Sequence, residues 1–456
     1  MKLTLFKQFS ITLTVIIAMS VPVHASDLTA ARAGRYLGNI IGYLMENYAM
    51  RELTAEELYI SAARGIAWQL DEYSDYMTAP EFESMSHSLS GNYQGVGVQF
   101  RIRLDGSLEV VNVHDGSPAK TAGILKGDII TSINGKMING YTDETFPQMI
   151  ARINGTVTLV VFRDGESKTF SMQKGEFQVA TVEYVLLSEH LPEANGKPMG
   201  YILCKQIGER TAREMRAAVD RLKSRGVTQV VIDFRGNLGG YKHVIEEISR
   251  MFVPRGTVYS TIDAQGKRTT FNSNLTIRPF ENVVILVDAE TASACELFTA
   301  AMQDAKAATI IGQQTFGKGV FQGFAEFQTG DVLKYTSMEY LRRNGQKLHG
   351  IGITPDIVIS KPRHVGEELL LMNNDGTGIG IENLNTLLAY IGYDVSGERY
   401  GDSTKAAVAD IQTRAKLNPT GYCDIQTIQA INIAYEEYLM DNDVELMRAY
   451  RVLMGD

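Results

Sequence analysis

From Leu28 to about Ser84, apolar residues recur at helical spacing, first Tyr36, Ile40, Tyr43 and Leu44 and then Leu58, Ala62 and Ile66. This pattern predicts an N-terminal helical part. The stretch that closes it, Leu70-Asp71-Glu72-Tyr73-Ser74-Asp75-Tyr76-Met77, is dense in aromatics and carboxylates and reads as a helix terminus and turn. From about Ser86 to Lys174 the pattern shifts to short apolar runs broken by glycine turns. Leu108 to Val113 and Asp128 to Ile133 read as strands, the latter followed by Asn134-Gly135, a two-residue hairpin signal, and Val157 to Phe162 leads into a second hairpin at Asp164-Gly165. One helix is expected among them, because Phe146, Met149, Ile150 and Ile153 fall at i, i+3, i+4 and i+7.

From Gln178 to Pro362 strand-like runs alternate with helical ones: Met199 to Cys204, a helix over Thr211 to Ser224, Gln229 to Phe234, a helix after Gly240, Val283 to Val287, and a helix after Ser293. Such alternation predicts an α/β core with parallel strands. In these sheets ligands sit beyond the carboxyl ends of the strands, which points to the loops after Phe234 and Val287. The region from Gly378 to about Leu439 reads as three short amphipathic helices, carried by Leu384, Leu387, Leu388 and Ile391, by Val408, Ile411 and Ala415, and by Ile428, Ile431, Tyr435 and Leu439. Asp402, Ser403 and Asp424 mark helix starts. The expected division is therefore a leader over 1–25, the helical part of the core over 26–85, a β module over 86–175, the α/β core over 176–362 and a helical domain over 378–440.

With 456 residues, 44% of them hydrophobic, the chain has room for several domains, and 42 glycines against 11 prolines favour tight turns over proline-rich linkers. Lys2 and Lys7 precede an apolar run from Phe9 to Val21, then Pro22 and small residues up to Ala25, the layout of a secretory signal cut before Ser26. The run is about a dozen residues, short of the roughly 20 that span a bilayer. Whether the leader is cut or stays as an anchor, the working part is expected outside the cytoplasm, in the periplasm or cell envelope. Without the two leader lysines the acidic excess grows beyond the −9 of the whole chain, which disfavours nucleic acid as a partner. Cys204, Cys295 and Cys423 lie too far apart for a disulfide framework or a zinc site and read as buried small side chains. No metal or other cofactor is expected. The seven histidines form no constellation with a carboxylate, so a Ser-His-Asp triad is not expected.

Amide cleavage without a metal needs a nucleophile, a base and donors for an oxyanion. Three blocks offer them. Val231-Ile232-Asp233-Phe234-Arg235-Gly236-Asn237-Leu238-Gly239-Gly240 is a buried strand running into paired glycines, where backbone can approach a substrate closely. Asp233 and Arg235 read as a structural ion pair or loop brace rather than as acid and base. Asp288-Ala289-Glu290-Thr291-Ala292-Ser293-Ala294-Cys295-Glu296 puts Ser293 at a helix N-terminus, as a silent cap or as a nucleophile with the Ala294 amide available to an oxyanion. Gly312-Gln313-Gln314-Thr315-Phe316-Gly317-Lys318-Gly319-Val320-Phe321-Gln322 sets Lys318 between two glycines, either a solvated charge or a buried base.

Together these blocks resemble the C-terminal processing peptidases, whose order is a strand with D-x-R-x-N-x-G-G, then S-A-x-E, then G-K-G with Gln four residues beyond the lysine. The likeness covers about Arg32 to Pro362, including Leu70-Asp71-Glu72-Tyr73-Ser74 and Gly352-Ile353-Thr354-Pro355-Asp356. It implies a crotonase/Clp-like α/β protease core in a multidomain α/β chain, with Ser293 as nucleophile, Lys318 as general base and Gln322 holding the lysine amine. Desolvation would keep Lys318 neutral, and a neutral amide partner would not raise its pKa. Ala294 with Gly239 or Gly240 would bind the oxyanion. Phe234, Leu238 and Cys295 depart from the family's usual Leu, Pro and Ser or Ala. Cys295 lies two helix positions from Ser293, pointing about 200° away, and would need its own base.

Gly116-Ser117-Pro118-Ala119-Lys120-Thr121-Ala122-Gly123-Ile124 with Lys126-Gly127-Asp128-Ile129-Ile130 and Ile133-Asn134-Gly135 resembles a PDZ domain, which implies a peptide tail added as a strand beside a helix, its carboxylate on the Gly95-Val96-Gly97-Val98 loop. Leu388-Ala389-Tyr390-Ile391-Gly392-Tyr393, Tyr400-Gly401-Asp402-Ser403-Thr404, Gln412 and Thr420-Gly421 resemble a small three-helix peptidoglycan-binding domain. The resemblances imply a serine endopeptidase whose protein or peptide substrates end in small or apolar tails, with peptidoglycan and an activating partner as further contacts. They leave a homodimer open, and a catalytically silent PDZ and cell-wall adaptor is the alternative reading.

Overall fold

The computed structural model describes residues 28–103, 107–138, 149–150, 153–366, 369 and 377–456. The expected leader, 1–25, and the Phe146 end of the expected helix lie outside them. The described residues form two units, one running up to Thr78 and including Phe324–Tyr335, the other within Ala79–Gly323 and Thr336–Asp456.

In the first unit, α1 (Ala30–Asn47) and α2 (Ala55–Trp68) begin at threonine caps, and Thr54 with Glu57 forms a reciprocal capping box. The apolar stripe of α1 is not buried: Tyr36, Ile40 and Tyr43 are exposed, and no residue of the helix is enclosed. Where composition reads as a turn, Asp75–Met77 is instead a strand, β1, paired antiparallel with Val332–Lys334. The Tyr76 hydroxyl donates to Asp331 Oδ2 at 2.9 Å. A strand whose partner lies more than two hundred residues away leaves no local signal.

The second unit opens with α3 (Ala79–Ser90) and β2 (Asn92–Gly95). The β module that follows holds β3 (Val98–Ile102), β4 (Leu108–Val113), α4 (Pro118–Ala122), β5 (Ile129–Ile133), β6 (Lys136–Met137), β7 (Thr156–Arg163) and β8 (Glu166–Gln173). Its antiparallel sheet runs β3-β4-β5-β7-β8, with β6 on β5, so β3 is an edge strand. Asn134 and Gly135, and again Asp164 and Gly165, all have positive φ, the pair of left-handed residues that a tight type I′ hairpin demands. β9 (Gly175–Gln178) returns to pair with β2, so one two-stranded ribbon carries the chain into and out of the module.

The core then follows as β10 (Val182–Leu186), β11 (Met199–Cys204), α5 (Thr211–Ser224), β12 (Gln229–Asp233), α6 (Lys242–Phe252), β13 (Gly256–Asp263), β14 (Arg268–Ser273), β15 (Asn282–Val287), α7 (Ala294–Asp304), β16 (Thr309–Gly312), β17 (Val320–Glu326), β18 (Val332–Leu341) and β19 (Ile357–Val358). One sheet runs β10-β11-β12-β15-β16-β19, parallel except for β10. Its central strands are apolar on both faces, as strands covered on both sides must be. Val230, Ile232 and Ile285 pack with residues of α5, α6 and α7, while Val231, Val284 and Leu286 face the other way. A second, antiparallel sheet built on β13, β14, β17 and β18 breaks the strict alternation of strand and helix, because the β13–β14 hairpin is inserted before β15 and the β17–β18 hairpin between β16 and β19.

The helical domain comprises α8 (Ile379–Tyr390), α9 (Asp402–Arg414) and α10 (Ile425–Asp441), and the apolar positions read from the sequence meet in one cluster around Leu384, Leu388, Val408 and Ile431. A further helix, α11 (Val444–Met454), follows them and belongs to the α/β core: Leu446, Ala449 and Leu453 cover Val231, Val284 and Leu286. Asp233 and Arg235 form a brace rather than an acid/base pair. The Arg235 guanidinium donates to Asp233 Oδ2 at 2.6 Å, to Asp443 Oδ2 at 2.7 Å and to buried Glu445 Oε2 at 2.6 Å, tying the start of α11 to the end of β12.

Candidate active site

β12 and β15 end side by side, and their carboxyl ends release the two loops that carry the glycine pair and Ser293. Asn237 is fully buried and holds this junction together. Its amide donates to Cys204 O at 2.7 Å, its Oδ1 accepts from Gly239 N at 2.9 Å, and its carbonyl accepts from Ala292 N at 3.0 Å. Thr291, also fully buried, donates from Oγ1 to Phe234 O at 3.0 Å. The glycine loop therefore lies against the serine segment. A side chain at Gly239, where φ is +95°, would meet Ala292 O at 2.8 Å, Ser293 Cβ at 2.9 Å and Ala294 N at 3.0 Å, so only glycine fits. Gly240 is held as closely against Ile207 O.

Ser293 caps α7 with φ +56° and ψ −116°, a conformation costly for a residue with a side chain and maintained only where surroundings impose it. What imposes it is Glu296. This carboxylate is fully buried and receives four donors: Oε2 accepts from Ser293 N and Lys318 N, both at 2.8 Å, and Oε1 accepts from Gly317 N at 2.7 Å and Thr315 Oγ1 at 2.5 Å. Burial pushes the Glu296 carboxyl above its ordinary range, and the four donors oppose that shift. Ser293 and Lys318, from different loops, thus share one oxygen atom.

Their carbonyls are joined as well. Tyr340 on β18 is fully buried, and its hydroxyl is shared between Ser293 O, at 3.1 Å, and Lys318 O. The lysine loop is braced from below by the Gly352–Asp356 block, where Ile353 N donates to Thr315 Oγ1 at 2.7 Å and Asp356 Oδ2 accepts from Ile310 N at 2.8 Å. Gln322 lies on β17, four residues beyond Lys318, and its amide donates to Thr336 Oγ1 at 3.5 Å. Ala294 is the first residue of α7, so its amide is one of those a helix leaves without an internal partner. Cys295 is fully enclosed, and burial pushes its thiol well up, far from a reactive thiolate. Cys204 and Cys423 are likewise buried, and neither forms a disulfide. Among the described residues no group of His, Cys, Asp and Glu could hold a metal.

Ser293, Lys318, Ala294 and the glycine pair are thus neighbours, while the Gly95–Val98 loop stands apart in the β module. That loop lines a cleft of about 660 Å³ together with β3, Ile150, Phe177 and Lys205. Val96 itself points into the module's core, and Gly97, with φ +80°, lies against Ser117 and Phe177 too closely for any side chain. The clamping roles of Glu296 and Tyr340 had no place in the sequence reading. The Ser-x-x-Glu spacing of a capping box could have flagged Glu296, whereas nothing local distinguishes Tyr340 from other strand tyrosines.

Family models match three parts of the chain: peptidase family S41 over residues 198–359, the PDZ domain over 95–173 and a peptidoglycan binding domain over 377–431. The chain is 32% identical over 403 residues to a CtpA-like serine protease of Staphylococcus aureus, spanning 85% of this chain and 78% of that protein. Its similarity to a CtpA-like serine protease of Staphylococcus epidermidis is 29% over 388 residues, 83% and 77% of the two chains. Among solved structures, the photosystem II D1 C-terminal processing protease aligns with 23% identity and a TM-score of 0.44 over 72% of this chain and 89% of that one.

Proposed function

The chain belongs to peptidase family S41, as a CtpA-like serine protease with a PDZ domain, and from that premise we propose an endopeptidase of the cell envelope that reads substrate tails with the PDZ cleft and cleaves with Ser293 and Lys318. The observation that supports this reading is the shared Glu296 oxygen, which anchors the backbone amides of Ser293 and Lys318, from two separate loops, to one atom. Lys318, acting in its neutral form, takes the Ser293 Oγ proton as the oxygen attacks the scissile carbonyl. Gln322 orients the lysine amine. The oxyanion is bound by Ala294 N–H and by Gly240 N–H; Gly239 N–H already donates to Asn237 Oδ1, which favours its neighbour. As the intermediate collapses, Lys318 returns the proton to the leaving amine, and then takes one from the water that releases the acyl-enzyme.

Substrate tails with small or apolar ends would add as a strand to the open edge of β3, their carboxylate on the Gly95–Val98 loop. The match at 377–431 supports peptidoglycan contact and, with the CtpA-like relatives, an envelope location. Among the described residues no helix is long and apolar enough to cross a membrane.

The test is cleavage of an unfolded protein bearing a free apolar tail by the full chain, beside the same protein with its terminus amidated. Cleavage that slows about tenfold on amidation, the worth of one charge-assisted carboxylate interaction, is expected. A wild-type chain that cleaves neither would favour the silent adaptor. Tyr340→Phe should lower kcat about tenfold at unchanged KM, since two carbonyls lose their shared donor and the dyad loosens by an amount a single hydrogen bond controls. An unaltered kcat would remove Tyr340 from the machinery.

A further inference from the structure

The cleft beside the Gly95–Val98 loop is walled by two parts of the chain. One wall is the β module. The other is the catalytic core, which contributes Thr181, Lys205 and Gln206. Lys205 directly follows β11, its amide donating to Thr181 O at 2.8 Å, and its side chain is about two-fifths exposed, at 39%. Its ammonium pairs with Glu183 on β10, an exposed carboxylate that can be displaced. His114 and Lys174 of the β module line the same cleft. Lys205 is near enough to His114 to depress its pKa, which burial lowers first, with Asp115 and Glu183 opposing. The cleft thus gathers two lysine ammonium groups, Lys174 and Lys205, with the less readily protonated His114 beside them, around a glycine loop suited to a carboxylate, in a chain that is acidic overall.

Resting on the tail reading above, we infer that Lys205 of the catalytic core is a specificity-determining residue that binds the terminal carboxylate of the substrate tail, exchanging its ion pair with Glu183 for one with the tail. A tail is then held between module and core rather than by the module alone. The position has a further consequence. Two residues beyond Lys205, Ile207 donates from N to Gly239 O at 3.0 Å and accepts from Tyr241 N at 2.9 Å, so the core wall of the tail cleft and the glycine loop of the active site share one short segment.

The experiment is binding of a fluorescent peptide with an apolar end, free or amidated at its C-terminus, to the full chain carrying Ser293→Ala so that nothing is cleaved. Lys205→Ala is expected to weaken the free peptide about tenfold and to leave the amidated peptide unchanged, the difference one charge-assisted contact makes. Glu183→Gln is expected to act in the opposite direction and tighten the free peptide about threefold, because Lys205 no longer gives up a partner. A purely structural role for the Lys205–Glu183 pair would weaken both peptides in both variants and overturns the inference. Equal binding of the free peptide by wild type and Lys205→Ala also overturns it, while leaving tail reading intact. Wild-type binding blind to amidation removes carboxylate recognition altogether, and the inference with it.

Discussion

Ser293→Ala and Lys318→Ala are each expected to reduce kcat on an unfolded, tailed substrate by at least about 10⁴-fold, the scale on which serine hydrolases lose activity with their nucleophile or base. The reason is chemical. Without Oγ there is no acyl-enzyme, and without the amine the hydroxyl keeps a proton that nothing else placed at the site is proposed to remove. The double variant should be no worse than either single one, because the two groups act as one unit. Cys295→Ala is the control: that thiol is enclosed and pushed well up by burial, so its removal leaves the rate within a few-fold. Initial rates of substrate loss for wild type and the four variants decide the matter. Activity retained in Ser293→Ala would displace the nucleophile.

Glu296→Gln is expected to have the second largest effect, lowering kcat about 10²-fold and stability by about 2–4 kcal/mol. All four partners of the carboxylate are donors, three of them backbone amides. A glutamine offers one acceptor oxygen and an NH₂ group, so one side of the site turns donor against donor at full burial, and Ser293 and Lys318 lose their common anchor. Glu296→Asp keeps the charge but shortens the reach, and should recover stability more than rate. Thermal melts together with kcat and KM separate the two contributions: a kcat equal to wild type at a temperature where the variant is folded would reduce Glu296 to a structural acid.

The parts of this protein that follow from neighbours in the chain were legible in the sequence. Strand Leu108–Val113, the hairpins at Asn134-Gly135 and Asp164-Gly165, helix Thr211–Ser224 and the three helices around Leu388, Val408 and Ile431 are written in local periodicity and turn chemistry, because the interactions that define them span a few residues. Loops at the carboxyl ends of Gln229–Asp233 and Val283–Val287 followed from the parallel alternation of strands and helices. What joins distant segments was not legible. Strand Asp75–Met77 exists because Val332–Lys334 lies beside it, and α11 leaves the helical domain to cover Val231 and Leu286 of the catalytic sheet. The site itself divides the same way. Ser293, Lys318 and the glycines were singled out by the resemblance of their ordered motifs to those of a peptidase family, since alone the serine reads equally as a helix cap and the lysine as a solvated charge. That the Ser293 and Lys318 amides hang from one Glu296 oxygen and their carbonyls meet the Tyr340 hydroxyl was decided only when the fold enclosed Glu296 and Tyr340, where buried polar groups must be satisfied by other parts of the protein.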